Sequence, residues 1–286
     1  MKDHGHCIVT GGTTGIGLAV ARRLAEAGAA VTIVGHDRER GAAAKAAIDR
    51  AVGEERAEFL LADLSDQDQV RRLAATLMER HPRIAVLINN AGGLFGHRRV
   101  SAQGLEMTFA LNHLSYFLLS LLLLPALRAA APARIVNVAS GAHRGVQLDF
   151  DDLQAERNYR PITAYRRSKL ANLLFTRALA RRLNPAEISV NALHPGFVAT
   201  DLGTRNAFLP AFLWKLATRF AISPERGADT PVYLATAPEA AGFHGEYFYR
   251  CRPSEPSPAA RDDQAAARLW QESLRLTGLS EAELNL

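Results

Sequence analysis

A short apolar run near the N-terminus, His6-Cys7-Ile8-Val9-Thr10, stops at Gly11-Gly12-Thr13-Thr14-Gly15-Ile16-Gly17, and a helical pattern runs on from Leu18 to Ala27. Glycines at such a junction let backbone approach a bound group closely. The helix start adds unsatisfied N–H groups and the positive end of its dipole. A strand, a glycine turn and a helix together form the setting of a dinucleotide phosphate site, whereas a simple tight turn needs no such flanks. The spacing is G-x-x-x-G-x-G, not the more general G-x-G-x-x-G.

The same alternation continues along the chain. Ala30 to Val34 reads as a second strand and Ala57 to Ala62 as a third, followed by a helix over Asp66 to Arg80 and a strand over Ile84 to Ile88. Short apolar runs alternating with longer helical patterns specify βαβ units and a parallel sheet. A helix is predicted over about Ser101 to Leu127, a fifth strand over Arg134 to Ala139, and a sixth over Ile188 to Leu193. Glu246 to Tyr249 reads as a last strand, and Arg252 to Pro258 as a proline-rich link to a terminal helix around Gln264 to Leu276. At 286 residues and 48% apolar composition the chain suits one α/β domain with a sizeable core, and no internal repeat divides it.

Residues able to do chemistry gather where these strands end, at the carboxyl edge that binds ligands in such sheets. Asn89-Asn90-Ala91-Gly92-Gly93 follows the fourth strand, Asp63-Leu64 the third, and Ser140 the fifth. Thr200 follows the sixth, beyond His194-Pro195-Gly196, with a hydroxyl placed to hold a carboxamide. His194 itself reads as packing. Where an acidic residue would normally hold the adenosine ribose, position 35 is glycine. Nothing there repels a 2′-phosphate, and His36 and Arg38 are placed to meet one, while Asp37 is able to bond the ribose. The reading favours NADP(H) over NAD(H).

Tyr165 and Lys169 stand four apart in a helical pattern and so share a face. A free phenol has a pKa of about 10, and a fixed cation beside it stabilises phenolate and brings it into acid/base range. Asn112, in an apolar helix, needs a partner, because an unpaired buried amide costs about 1 to 3 kcal/mol. It either serves a local kink or the site. The apolar segment from Ala207 to Ala221, within 201–222, fits a helical lid over an apolar pocket, with a subunit interface as the competing reading.

Composition excludes other classes. The net charge of +5 comes from arginines scattered singly and in pairs without aromatic interleaving, which fits solvated helix faces and not a nucleic-acid surface. The longest apolar run, Phe117 to Leu127, contains Ser120 and Pro125 and is too short to span a bilayer. With no signal-peptide pattern and only two cysteines, Cys7 and Cys251, a cytoplasmic protein is expected.

Jointly, Thr10-Gly11 to Gly17, Asp63-Leu64, Asn89 to Gly92, Asn112, Ser140, Tyr165 with Lys169, and Pro195-Gly196 with Thr200 resemble the short-chain dehydrogenase/reductase family over nearly the whole chain. Within it, Leu111-Asn112-His113-Leu114, Ser168 to Asn172, Glu246-Tyr247-Phe248 and Arg268-Leu269-Trp270 are similar to the retinol-dehydrogenase-like reductases. The chain is expected to depart from that group in having no N-terminal membrane anchor, and it carries His36 where NADP-using members tend to have arginine.

The resemblance implies one Rossmann-type domain over 1–286, with about seven strands in the order 3-2-1-4-5-6-7, a lid at 201–222 and a C-terminal extension at 252–286. It implies catalysis by Tyr165 as general acid/base, Ser140 on the reacting oxygen, Lys169 on the nicotinamide ribose and Asn112 in a proton path. Cofactor contacts would come from Gly11, Thr13, Thr14, Gly15, Ile16, Gly17, His36, Asp37, Arg38, Asp63, Leu64, Asn90, Ala91, Gly92, Tyr165, Lys169, Pro195, Gly196, Val198 and Thr200. The substrate would be an apolar ketone or aldehyde or its alcohol, and the protein a homodimer or homotetramer. The alternative is a non-catalytic nucleotide-binding regulator or scaffold on the same fold.

Overall fold

A computed structural model describes residues 5–196, 222–284 and 286. The strands are β1 (His6–Thr10), β2 (Ala30–Gly35), β3 (Ala57–Leu61), β4 (Val86–Asn89), β5 (Ala133–Val138), β6 (Ile188–Leu193), β7 (Tyr247–Tyr249) and β8 (Arg252–Pro253). They form one sheet in the order β3-β2-β1-β4-β5-β6-β7-β8. Its first seven positions match the expected order. All neighbouring strands run parallel except β7 and β8. The eighth strand replaces part of the expected proline-rich link. Arg250 and Cys251 both have positive φ, 51° and 57°, the backbone of a two-residue hairpin turn that twists with its strands.

Helices cover both faces, which is why the central strands read as near-continuous apolar runs. On one face α1 (Gly15–Glu26) and α2 (Arg38–Val52) pack Val20, Leu24 and Ile48 against Val9, Ile33 and Ile88. On the other face α3 (Gln67–Arg80) joins the segment after β4 and α7 (Pro161–Ala180), burying Leu77, Phe117 and Phe175 with Ile8, Leu87 and Ile135.

The single helix expected over about 101–127 is divided. A short α4 (Met107–Phe109) opens on Glu106, whose carboxylate accepts from the Thr108 and Phe109 N–H groups. A π-helical turn follows over Ala110–Leu114, then α5 (Ser115–Leu122) and α6 (Leu124–Ala129). A π turn takes in one extra residue and displaces the side chains that follow it. Leu123 leaves the helix, and Pro125 stands in the first turn of α6, where its missing N–H is not needed.

Beyond β6 come α8 (Pro224–Gly227) and α9 (Asp229–Thr236), then α10 (Asp263–Thr277), capped by Asp262 at one end and left-handed Gly278 at the other, and a short α11 (Glu281–Leu284). α10 lies along α7. Asp263 pairs with Arg177 and Arg181, and the buried Trp270 ring meets Phe117 edge-on at 5.0 Å beneath the Arg182 guanidinium. No helix among the described residues is long and apolar enough to cross a membrane.

Candidate active site

β1, β4, β5 and β6 bring their carboxyl ends together, and the first two are tied by Thr10. Its hydroxyl donates to the Ile88 carbonyl at 3.3 Å and accepts from the N–H groups of Asn90 and Ala91 at 2.9 and 3.1 Å. Asn90, expected as a cofactor contact, returns its amide to Thr10 O at 2.9 Å and Gly11 O at 3.3 Å, so that side chain holds the glycine turn. A Cβ on Gly17 would stand 2.2 Å from Gly11 O, which leaves glycine alone at that position. Thr14, the residue before α1, makes no side-chain cap bond, so the first-turn amides keep their capacity for an anion.

Four catalytic candidates converge a few ångströms away. Lys169 is 4% exposed and donates to the carbonyl of Val138, the last residue of β5, at 3.0 Å. Ser140 follows two residues later, and its side chain is hydrogen-bonded to the Tyr165 phenol. The Ala142 N–H occupies one lone pair of the Ser140 hydroxyl at 3.1 Å. Asn112 lies in the π turn, fully buried, with its oxygen accepting from Gly93 N and its nitrogen donating to Gly93 O and Ser168 Oγ. A Cβ on Gly92 would meet Asn112 Oδ1 at 3.3 Å and Lys169 Nζ at 3.5 Å, so the two side chains arch over that glycine. Asn112 therefore serves both readings left open by the sequence: it sits in the helix irregularity and fixes the loop at the site.

Thr10 and Ser168 lie in motifs that the resemblance singled out, but the sequence gives no reason to assign their hydroxyls, or Tyr116, these hydrogen-bonding roles at the site. The Tyr116 hydroxyl donates to Ala91 O at 2.8 Å, and its ring lies 5.5 Å from Lys169 Nζ. Its one local signal is its position four residues after Asn112.

Burial lowers the Lys169 ammonium from 10.5 to about 7. Burial also raises the Tyr165 phenol above its usual range, against a lowering by the Ser140 hydrogen bond. In a poorly solvated site both groups are shifted toward their neutral forms. An anion close to Lys169 would favour its charged form.

At the β2–α2 turn, a Cβ on Gly35 would lie 2.6 Å from the Thr13 methyl, which excludes a carboxylate there while Thr13 is in place. Asp37 caps α2, accepting from Arg40 N at 3.1 Å and pairing with Arg40 Nε at 3.3 Å. His36 and Arg38 stand beside it, at the start of α2. Asp63 accepts from the N–H and hydroxyl of Ser65, and the side chain of Leu64 packs into the core. His194 stacks on Tyr249 at 4.1 Å and accepts from Gly196 N at 3.1 Å, in keeping with a packing role. Val198, Thr200 and the lid expected at 201–222, as far as residue 221, lie outside the described residues.

The short chain dehydrogenase profile matches residues 5–207. The chain belongs to the short-chain dehydrogenases. Its relatives include human retinol dehydrogenase 13, 40% identical over 278 residues that cover 95% of this chain and 84% of that protein. Retinol dehydrogenase 12 of Mus musculus is 39% identical over 272 residues, 95% of this chain and 86% of the relative. Among solved structures, an uncharacterized Mycobacterium paratuberculosis protein superposes with a TM-score of 0.78 at 31% identity, covering 96% of this chain and 94% of that one. The Pseudomonas aeruginosa RhlG/NADP active-site complex gives 0.68 at 31% identity, covering 85% and 93%. As a retinol-dehydrogenase-like member of this family, the chain is a nicotinamide-dependent oxidoreductase acting between alcohol and carbonyl.

Proposed function

We propose that this short-chain dehydrogenase uses NADP(H), in preference to NAD(H), to interconvert an apolar ketone or aldehyde and its alcohol, with Tyr165 as the acid/base. The observation that carries the reading is the convergence of Asn112 and Lys169 over Gly92, with the Tyr165 ring 5.9 Å from Lys169 Nζ and Ser140 hydrogen-bonded to the Tyr165 phenol. The residues present fit the cofactor. The glycine turn is stripped of side chains where a pyrophosphate would approach, the α1 amides have no side-chain cap, and Gly92 leaves a cradle beneath Asn112 and Lys169. When bound, the nicotinamide supplies or accepts the hydride.

The chain's own groups supply the rest. Tyr165 gives its proton to the carbonyl oxygen in reduction and removes the hydroxyl proton in oxidation. Ser140, with one lone pair taken by Ala142 N, turns its O–H toward the same oxygen and stabilises the charge that develops there. Lys169 would hold the nicotinamide ribose, and Asn112 would keep the Gly93 loop and a proton path in place.

Support for NADP(H) comes from the β2–α2 turn. Gly35 cannot be replaced by an acid against Thr13, the Asp37 carboxylate is taken up by its helix cap and Arg40, and His36 and Arg38 remain for a 2′-phosphate. An apolar substrate is supported by the segment from Ala207 to Ala221 and by relatives named for retinol. Two unpaired cysteines support a cytoplasmic setting. The homo-oligomer implied by the family would pair through surfaces other than the α7 face covered by α10.

The test is a panel of aliphatic, aromatic and polyene aldehydes and ketones with NADPH and with NADH, followed by cofactor absorbance. Turnover of apolar members with NADPH is expected. A protein that binds cofactor yet turns over nothing in either direction would make it a nucleotide-binding regulator instead.

A further inference from the structure

The loop that presents Ser140 is held from behind by a group the reaction does not use. His143, fully buried, places Nδ1 2.7 Å from the Ser140 carbonyl oxygen, and its Nε2 lies 3.1 Å from the backbone nitrogen of Ser257. These two partners leave no choice of tautomer. A carbonyl oxygen only accepts and a backbone N–H only donates, so Nδ1 carries the proton and Nε2 is bare. In the other tautomer the Nδ1 lone pair would face the Ser140 carbonyl and repel it.

Ser257 belongs to the strap that follows β8. Ser254 N donates to Tyr247 O at 2.7 Å, which seats the start of the strap against β7. Arg144 Nη2 donates to the Glu255 carbonyl at 2.6 Å, so the residue next to His143 also grips the strap. The Tyr247 ring meets His143 edge-on at 5.2 Å and closes the remaining side of the imidazole.

We propose that His143 is a positioning residue: the Ser257 N–H holds its ring in one tautomer, and the ring's own N–H fixes the Ser140 carbonyl, so that the serine hydroxyl meets the reacting oxygen beside Tyr165. The C-terminal strap thereby reaches the site through a single imidazole. This role rests on the reading of Ser140 given above. A hydroxyl displaced by a fraction of an ångström loses its alignment with the reacting oxygen, while the cofactor cradle around Gly11 to Gly17 is untouched.

Ser257→Pro breaks the link outright. Ser257 has φ −65°, the value proline imposes, and its buried hydroxyl has no partner to lose, while proline Cδ would stand where the N–H now points at His143 Nε2, so the substitution removes the donor and pushes the imidazole from its place. His143→Phe removes both bonds while keeping a ring, and His143→Gln restores a donor. Each is compared with Ser140→Ala for kcat, KM, NADPH affinity by fluorescence and thermal midpoint. The expected result is a kcat lower by about ten-fold in Ser257→Pro and His143→Phe, with KM and NADPH affinity held within about two-fold and partial recovery in His143→Gln. Nitrogen chemical shifts of His143 in the unmodified protein should show the proton on Nδ1. Unchanged kcat in Ser257→Pro alongside a large loss in Ser140→Ala would overturn the proposal and leave the reading of Ser140 standing, as would a proton found on Nε2. Full activity in Ser140→Ala would overturn that reading and the proposal with it.

Discussion

Tyr165 and Lys169 meet at one site because they are four apart on α7, but what they do there is set by burial. The Tyr165 proton is held above the usual phenol range, so Tyr165→Phe should remove turnover by a factor of about 10² to 10⁴ while NADPH still binds. Fluorescence titration beside a rate assay checks both halves, and a variant that still turns over would sink the acid/base assignment. Alcohol oxidation needs the phenolate, so its rate should climb with pH, whereas carbonyl reduction should fall at alkaline pH. Lys169 adds a stability prediction. Its pKa is about 7 folded against 10.5 unfolded, so between those values the unfolded chain binds the extra proton and stability rises with pH. The penalty is complete below about pH 7 and gone above about 10.5. Lys169→Met should therefore melt higher than the parent at about pH 7, with the gap narrowing toward about pH 10, and equal gaps at both pH values would contradict it. The pairing of Tyr165 with Lys169 was legible because helical periodicity is local. The hydrogen-bonding roles of Thr10, Tyr116 and Ser168 were not, because those partners lie far off in sequence and only the fold brings them together.

At the scale of elements, the proposed preference for NADPH rests on the β2–α2 turn. Asp37 is committed to capping α2, so Arg38→Ala should weaken NADPH binding about ten-fold and leave NADH nearly unchanged, the size expected for one charge-assisted hydrogen bond. Equal losses for the two nucleotides, read by titration, would remove Arg38 from the 2′-phosphate. The strands and most helices could be read from the sequence because a parallel sheet buried on both faces leaves apolar runs that amphipathic helices separate. Two irregularities could not. The β7–β8 hairpin turns on Arg250-Cys251, which carries none of the Asn-Gly signal, and the π turn around Asn112 leaves a pattern that an unbroken α-helix would also give. Both lie close to the candidate site, where local preference gives way to the needs of tertiary structure.

Across the whole molecule, a buried polar line crosses the core between the sheet and α7. Asn89 donates to Ser120 and Asn137, Asn137 donates to Thr176, and Thr176 donates to the Asn172 carbonyl, each at 2.8 or 2.9 Å. Nearby, His113, next to Asn112 in the π turn, meets Ser273 of α10 at 2.9 Å among Phe109, Phe117 and Phe175. That imidazole joins the π turn to α10, and burial lowers its pKa from 6.5 to about 3. The folded chain therefore refuses a proton that the unfolded chain accepts between those values. Stability is unaffected by this group above about pH 6.5 and falls progressively as the pH drops toward 3. His143 and His194 also have lowered values and add to acid sensitivity, so a single pH curve does not isolate His113. A comparison does. His113→Phe loses the Ser273 hydrogen bond, about 1 kcal/mol at neutral pH, but also loses the protonation penalty. Urea unfolding at a series of pH values should show the variant weaker at about pH 7.5 and the difference shrinking or reversing by about pH 4.5. Parallel curves across that range would mean that His113 is already solvated in the folded protein, and that α10 does not seal the core beneath the π turn.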